Sequence, residues 1–86
     1  MIVSNTHTLQ GYEIVEYLGI VSTSEVYIKG RLGGDAAVWN DIVGKVVKGI
    51  TKEATKAGAD AVVGFTIVPD DGSARGMGTA VKIKKI

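Results

Sequence analysis

The first long apolar segment of this chain runs from Tyr12 to Lys29 and lacks the 3.6-residue period of a helix. It is rich in Val, Ile and Tyr and contains no proline, which favours a strand. Gly19, near its middle, indicates a bulge or a close backbone approach. The polar run Ser22 to Ser24 indicates a kink or turn. We therefore predict two strands that are separated near this run.

An amphipathic helix is predicted after the glycine-rich break at residues 30–34. Apolar positions fall on one arc of the helical wheel and lysines on the opposite side, which predicts a solvated lysine face. Asp35 has the chemistry of an N-cap, and Gly58 is placed to end the helix in the left-handed conformation. The apolar arc comprises Ala36, Trp39, Ile42, Val43, Val46, Val47, Ile50, Ala54 and Ala57.

Two further strands are predicted after the helix, from Ala59 to Val68 and from about Met77 to Ile86. Between them, Pro69 to Gly72 has the composition of a turn. The resulting order, β-β-α-β-β, predicts a two-layer α+β domain with one helix on a mostly antiparallel sheet.

Both faces of the predicted strands are apolar, although only one helix is available to cover them. In the first strand, Tyr12, Ile14, Leu18 and Ile20 alternate with Val15, Tyr17 and Val21, and in the third Val62 and Val68 alternate with Ala61 and Val63. An uncovered apolar face exceeds what monomers normally expose. We therefore expect self-association, with an interface that includes Val15, Tyr17, Val21, Val62 and Val68. The alternative is a sheet that curls enough to hide its own second face.

Composition narrows the classes of function. The chain is 45% hydrophobic with a formal net charge of +1, which excludes a disordered tail and gives no expectation of nucleic-acid binding. Cysteine is absent and there is one histidine, so thiol catalysis and a disulfide framework are excluded. No secretory leader and no apolar run of about 20 residues is present, so we expect a cytoplasmic protein without membrane contact.

Four segments resemble the YbjQ-like family, which is also labelled as heavy-metal-binding: MIVSNT at the start, GYEIVEYLGIVS at 11–22, GADAVVGFTI at 58–67 and GTAVKI at 78–83. They occur in family order and identify residues 1–86 as a single YbjQ-like domain. The resemblance implies an α+β subunit in a cyclic pentamer, with strands around the ring and helices outside, and no established activity. The stretch GRLGGDAAVWNDIVG at 30–44 is shorter than in family members, which leaves open whether a family site is kept.

Metal binding is the chemistry that the family label suggests, but the chain offers few ligands for it. Soft metals prefer thiolates or clustered imidazoles, which are lacking here. His7 with Glu13 or Glu16 could hold a hard or borderline ion; otherwise His7 is an exposed residue of a polar lead-in. We predict no metal and no other cofactor.

Two features were considered as sites for other ligands. The backbone amides of Gly33 and Gly34 could cradle an anion before the helix, although Asp35 would repel a phosphate there. Trp39 is either a core or interface residue or a stacking platform. Oligomers of the dodecin type share a related subunit topology and bind flavins between aromatic rings at subunit contacts.

No catalytic residue is predicted, because no nucleophile has a base at a plausible spacing. The first functional hypothesis is a homo-oligomeric scaffold or binding module without catalysis, whose partner is another copy of itself. The alternative is an oligomer that binds a small flavin-like ligand or a metal at its subunit junctions.

Overall fold

The computed structural model describes residues 1–23, 26–27, 36–70 and 73–86. Within these ranges the elements are β1 (Ile2–Val3), β2 (Tyr12–Ser22), β3 (Val26–Tyr27), α1 (Ala36–Lys56), β4 (Ala61–Asp70) and β5 (Ser73–Lys85). Gly58, with a φ of 82°, follows the helix as predicted. The predicted N-cap, Asp35, lies outside the described residues. No helix in the described ranges is long and apolar enough to span a membrane.

The five strands form one mixed sheet. Strand order is β1-β4-β5-β2, and the short β3 pairs with β5 beyond the end of β2. Strand β1 runs parallel to β4, whereas the other pairs are antiparallel. The predicted α+β class with one helix is confirmed, and so is the split of the first long segment. Strand β1 was not predicted as a strand.

The β4–β5 hairpin is longer than predicted. Asp70 pairs with Ser73 and Pro69 with Ala74, so only residues 71–72, which are not described, connect the two strands. The final strand therefore begins at Ser73 rather than near Met77. Gly76 therefore lies inside this strand.

Two glycines in β5 leave room for neighbouring side chains, one of the helix and one of β4. A Cβ atom at Gly76 would lie 2.5 Å from Val46 Cγ1 of the helix, and one at Gly78 would lie 2.6 Å from Val62 Cγ1 of β4. Since real Cβ atoms do not approach this closely, any side chain at either position would force the packing apart. These glycines are places of close approach rather than strand breaks.

Strand irregularities decide which side chains face the helix. The register shifts between Ile14 and Glu16 and between Tyr17 and Gly19, where Gly19 has a φ of 113°, so the predicted bulge is confirmed. As a result Ile14 and Leu18 pack on opposite faces of the sheet, and their predicted placement on one face is wrong. A further shift in β4, at Gly64 with a φ of 61°, was not predicted.

The helix-side core lies between α1 and the central strands. Its buried members are Ile42, Val46, Ile50, Ala54, Val62, Ala74 and Ala80. Val21 packs against this core, and Val62 is completely buried within it. Val21 and Val62 thus lie on the face that the helix covers and not on the helix-free face, and their contact with another chain stays a prediction.

Thr23 joins the end of β2 to β5 beneath the helix. Its backbone N–H donates to the carbonyl of Gly76 at 2.9 Å, and its Oγ1 accepts from the Gly76 N–H at 2.8 Å. A Cβ atom at Gly49 would lie 3.1 Å from Thr23 Cγ2. Gly49 weakens the helix intrinsically, but it leaves room for this buried threonine.

Candidate functional site: the helix-free face of the sheet

The face of the sheet opposite the helix divides into a covered end and an open end. At the covered end, Leu9, Ile14 and Ile83 pack over three buried residues, Ala61, Val63 and Val81. At the open end, large apolar side chains are exposed: Tyr17 by 68%, Ile20 by 77%, Val68 by 41% and Met77 by 38%. We call these four residues the open face.

The strand register shows which residues share the helix-free face at the open end. Met77 in β5 lies opposite Thr66 on one side and Ser22 on the other, and its neighbour on the same face, Thr79, lies opposite Ile20. Directly opposed residues on one face have Cβ atoms about 4.5–5.5 Å apart. The exposed apolar side chains therefore share one face across three strands, with polar side chains between them.

The structure separates the interface residues predicted from the sequence. Tyr17 and Val68 lie on the open face, and Val15 is 54% exposed at the first irregularity of β2. The alternative of a sheet that hides its own second face does not account for the open end. At the covered end, Leu9 of the N-terminal segment packs over the sheet together with Ile14 of β2 and Ile83 of β5.

The N-terminal segment is fixed by hydrogen bonds to the irregular part of β4. The Gly64 N–H donates to the Thr6 carbonyl at 2.8 Å, and the Phe65 N–H donates to the Ser4 carbonyl at 2.9 Å. Within the segment, the hydroxyls of Ser4 and Thr6 are hydrogen-bonded at 2.6 Å, and the Thr6 hydroxyl donates to the Thr8 carbonyl at 2.6 Å. These bonds hold an exposed loop in one conformation.

The imidazole ring of His7 packs against the backbone of Gly64. A Cβ atom at Gly64 would lie 3.3 Å from both Cε1 and Nδ1 of the His7 ring, which is tighter than ordinary packing. The positive φ of Gly64 also disfavours other residues there. Gly64 therefore provides both the backbone bend and the space that this imidazole occupies.

An open groove of about 340 Å³ lies between the N-terminal segment and β2. Its wall includes the imidazole of His7 and the rings of Tyr12 and Tyr17, and its aliphatic part comprises Leu9, Ile14 and Ile86. Tyr17 belongs both to this groove and to the open face.

The candidate metal ligands do not converge. Glu13 borders the groove with His7, but it is paired with Lys84, whereas the next pair, Ile14 with Ile83, faces the helix-free side. Alternation along the strand therefore directs the Glu13 side chain toward the other face. Glu16 is paired with Lys82 and does not line the groove. No group of three His, Cys, Asp or Glu residues that could hold a metal ion occurs in the described part of the chain.

The remaining candidates lie elsewhere. Gly33, Gly34 and the side chain of Trp39 are outside the described residues, so their predicted ligand contacts remain predictions. The lysine side of the helix is exposed as predicted, and two of its lysines form ion pairs, Lys45 with Asp41 at 3.3 Å and Lys56 with Glu53 at 3.5 Å. Such exposed pairs contribute little to stability.

The groove itself was missed by sequence reasoning. The polar stretch from Asn5 to Gln10 was interpreted as a lead-in, although it contains one apolar residue, Leu9. Leu9 was the available signal, because an isolated large apolar residue in a polar segment often anchors that segment to a core.

Comparison with known proteins agrees with this description of the fold. The model of the YbjQ family, described as "Putative heavy-metal-binding", matches residues 1–84. The chain belongs to the YbjQ family. The resemblance seen in its four sequence segments is thereby confirmed.

Members of the family from distant bacteria align with the whole chain. A UPF0145 protein from Thermotoga maritima is 38% identical, with 100% of both chains covered, and one from Psychromonas ingrahamii is 39% identical over 99% of this chain and 100% of the other. The Thermotoga alignment has 107 positions and this chain has 86 residues, so at least 21 positions lack a residue here. This YbjQ-family chain is thus shorter than the Thermotoga maritima protein.

A solved structure supports the fold alone. A protein of unknown function of the DUF74 family, from Pediococcus pentosaceus, superposes with a TM-score of 0.66 and 18% identity, with 98% of each chain covered. This likeness extends over nearly all of the YbjQ domain.

Proposed function

We propose that this YbjQ-family chain is a cytoplasmic homo-oligomeric module that acts as a scaffold or binding protein without catalysis. The observation that carries the proposal is the open face: the exposed side chains of Tyr17, Ile20, Val68 and Met77 lie on the side of the sheet that lacks a helix, with polar residues, including Thr66, Thr79 and Arg75, between them. A second copy of the chain is the proposed cover.

The free energy gained by removing the open-face side chains from water supports a contact with another protein surface. Removing a Val, Ile, Phe or Met side chain from water contributes about 1.5–3 kcal/mol, and an aromatic ring adds a large contact area. The Val15 side chain, also exposed, extends the available apolar surface along β2. An 86-residue chain without cysteine has a small core and gains no stability from disulfides, so self-association is a suitable way to bury more apolar surface.

A cyclic pentamer with a dodecin-like subunit is the proposed assembly. The family resemblance carries this part of the proposal. A ring of five copies requires each copy to contact its neighbours through two different surfaces, related by a rotation that closes after five steps. The open face provides one such surface, and it lies on the opposite side of the sheet from the helix, which agrees with strands inside the ring and helices outside.

The second candidate function is binding of a small flavin-like ligand or a metal at subunit junctions. The groove favours the small ligand, because Tyr17 lines it and also borders the proposed contact between copies. The metal version is supported by the family description and by His7, although neither glutamate converges on this histidine within one chain.

Light scattering of the purified protein over a range of concentrations tests self-association. Five chains of 9.0 kDa should give about 45 kDa. The I20K variant, which places a charge in the open face, should reduce the mass toward that of one chain. The matched control is T55K, since Thr55 is exposed on the helix and the added charge is the same. A wild-type mass of one chain at every concentration would falsify the oligomer, whereas another multiple would overturn only the pentamer.

A further inference from the structure

The groove is formed by a rigid frame. One side is the N-terminal segment, which two backbone hydrogen bonds from Gly64 and Phe65 attach to β4. The other side is the edge strand β2, which contributes Tyr12 and Tyr17. Preformed clefts of this kind, with volumes from about 300 Å³, are typical of small-molecule sites. At about 340 Å³ the groove has room for a small ring system.

The lining of the groove combines aliphatic and aromatic side chains. Leu9 and Ile14 line it and also pack against the core, and Tyr12, Tyr17 and His7 contribute three rings. Both phenols and the imidazole can donate and accept hydrogen bonds at the rim. The one acidic residue at the border, Glu13, is directed toward the other face of the sheet by its pairing with Lys84.

We propose that this groove binds a flat, uncharged heteroaromatic ring whose edge forms hydrogen bonds. Aromatic side chains stack on such rings, and an apolar floor with a few polar groups at the rim fixes their orientation. The proposal rests on the small-ligand part of the second candidate function, names the ligand class and places the site within one chain instead of at a subunit junction. It does not depend on self-association, because every lining residue comes from one chain.

The binding test uses riboflavin as the probe and its fluorescence as the signal. Stacking against tyrosine quenches a flavin, so titration with wild-type protein should give saturable quenching. Y17L should weaken binding about tenfold, whereas Y17F, which keeps the ring, should remain within about threefold of wild type. FMN has the same ring with a phosphate added, and equal affinity for FMN and riboflavin is expected.

Two further variants test whether riboflavin binds in the groove or at another place on the chain. I20K should bind riboflavin as tightly as wild type, because Ile20 does not line the groove. W39F should also bind unchanged. Loss of binding in W39F with retention in Y17L would move the site to Trp39, and much tighter binding of FMN would show that the phosphate is recognised instead of the ring.

The experiments distinguish an error in the proposed ligand site from an error in the proposed self-association. Absence of saturable quenching, or equal affinities of wild type and Y17L, would overturn the groove site whatever the mass in solution. Conversely, light scattering could give the mass of a single chain while riboflavin quenching is saturable and weaker in Y17L. That result would overturn self-association and support the ligand site.

Discussion

The two faces of the sheet differ in the size of the side chains that β5 places on them. Beneath the helix, residues 74–80 of this strand present only small residues: Ala74, Gly76, Gly78 and Ala80. Toward the other side it presents larger ones: Arg75, Met77, Thr79 and Val81. Close approach of a helix requires small residues beneath it, whereas the opposite face retains side chains that are large enough to contact a separate molecule.

This comparison shows that side-chain volume, and not only hydrophobicity, indicates which face a helix covers. Both faces are apolar, so hydrophobicity alone does not distinguish them. The helix-side residues leave space that α1 fills at native packing density. The open face has no such complement within the described residues. We expect substitutions on the two faces to have correspondingly different effects.

The largest contrast is expected between I50A and I20A. Ile50 is completely buried beneath the helix, whereas Ile20 is 77% exposed. The same truncation should lower the free energy of unfolding by about 2–5 kcal/mol at Ile50 and by less than about 0.5 kcal/mol at Ile20. Urea denaturation at the lowest measurable protein concentration gives both values.

Protein concentration sharpens this first comparison. If another copy covers the open face, the destabilisation by I20A should increase with protein concentration, because association stabilises the folded chain by mass action. Equal effects of I50A and I20A in the dilute single chain would contradict the assignment of the two faces.

An intermediate effect is expected for G78A. The added methyl group would lie 2.6 Å from Val62 Cγ1 and 3.2 Å from the Val63 carbonyl oxygen, so overpacking should destabilise the protein by about 1–3 kcal/mol. T79A, the next residue on the opposite face, serves as the matched control and should lose less than about 1 kcal/mol. Chemical denaturation measures both, and a neutral G78A would show that the side chain of Val62 in β4 packs less closely over β5 than described.

The smallest effect is expected within the helix, where two glycines differ in their surroundings. Nothing lies within 4 Å of a Cβ atom at Gly44, so G44A should raise the free energy of unfolding by about 0.5–1 kcal/mol. At Gly49 the added atom would press on Thr23, so G49A should gain less or lose stability. Thermal unfolding compares the pair, and a larger gain from G49A would contradict the role assigned to Gly49.

The sequence allowed prediction of the features that depend on local chemistry. Helix periodicity, the glycine after the helix and the bulge at Gly19 follow from neighbouring residues and are confirmed. The parallel pairing of β1 with β4 joins segments about 60 residues apart, and no local pattern specifies it. The strand irregularities at Ile14 and Gly64 reverse the alternation of faces, which a regular two-residue period does not reveal.

The candidate site was harder to predict, because it is assembled from distant parts of the chain. His7 was considered with the two nearest glutamates as a metal ligand, but its closest structural relation is to Gly64. Tyr17 was identified as apolar surface, and its second location in the groove depends on where the N-terminal segment lies. A residue pattern within one strand contains no information about that position.

The phenol ring of Tyr17 borders two surfaces at once. Two binding equilibria that share a side chain are thermodynamically linked when each ligand alters that side chain's position or hydration. Under that condition, binding of a heterocycle changes the dissociation constant for association of the copies by some factor. Association of the copies then changes the dissociation constant of the heterocycle by the same factor. The fraction of grooves that hold a heterocycle would then depend on the protein concentration, and diluting the protein would change that fraction.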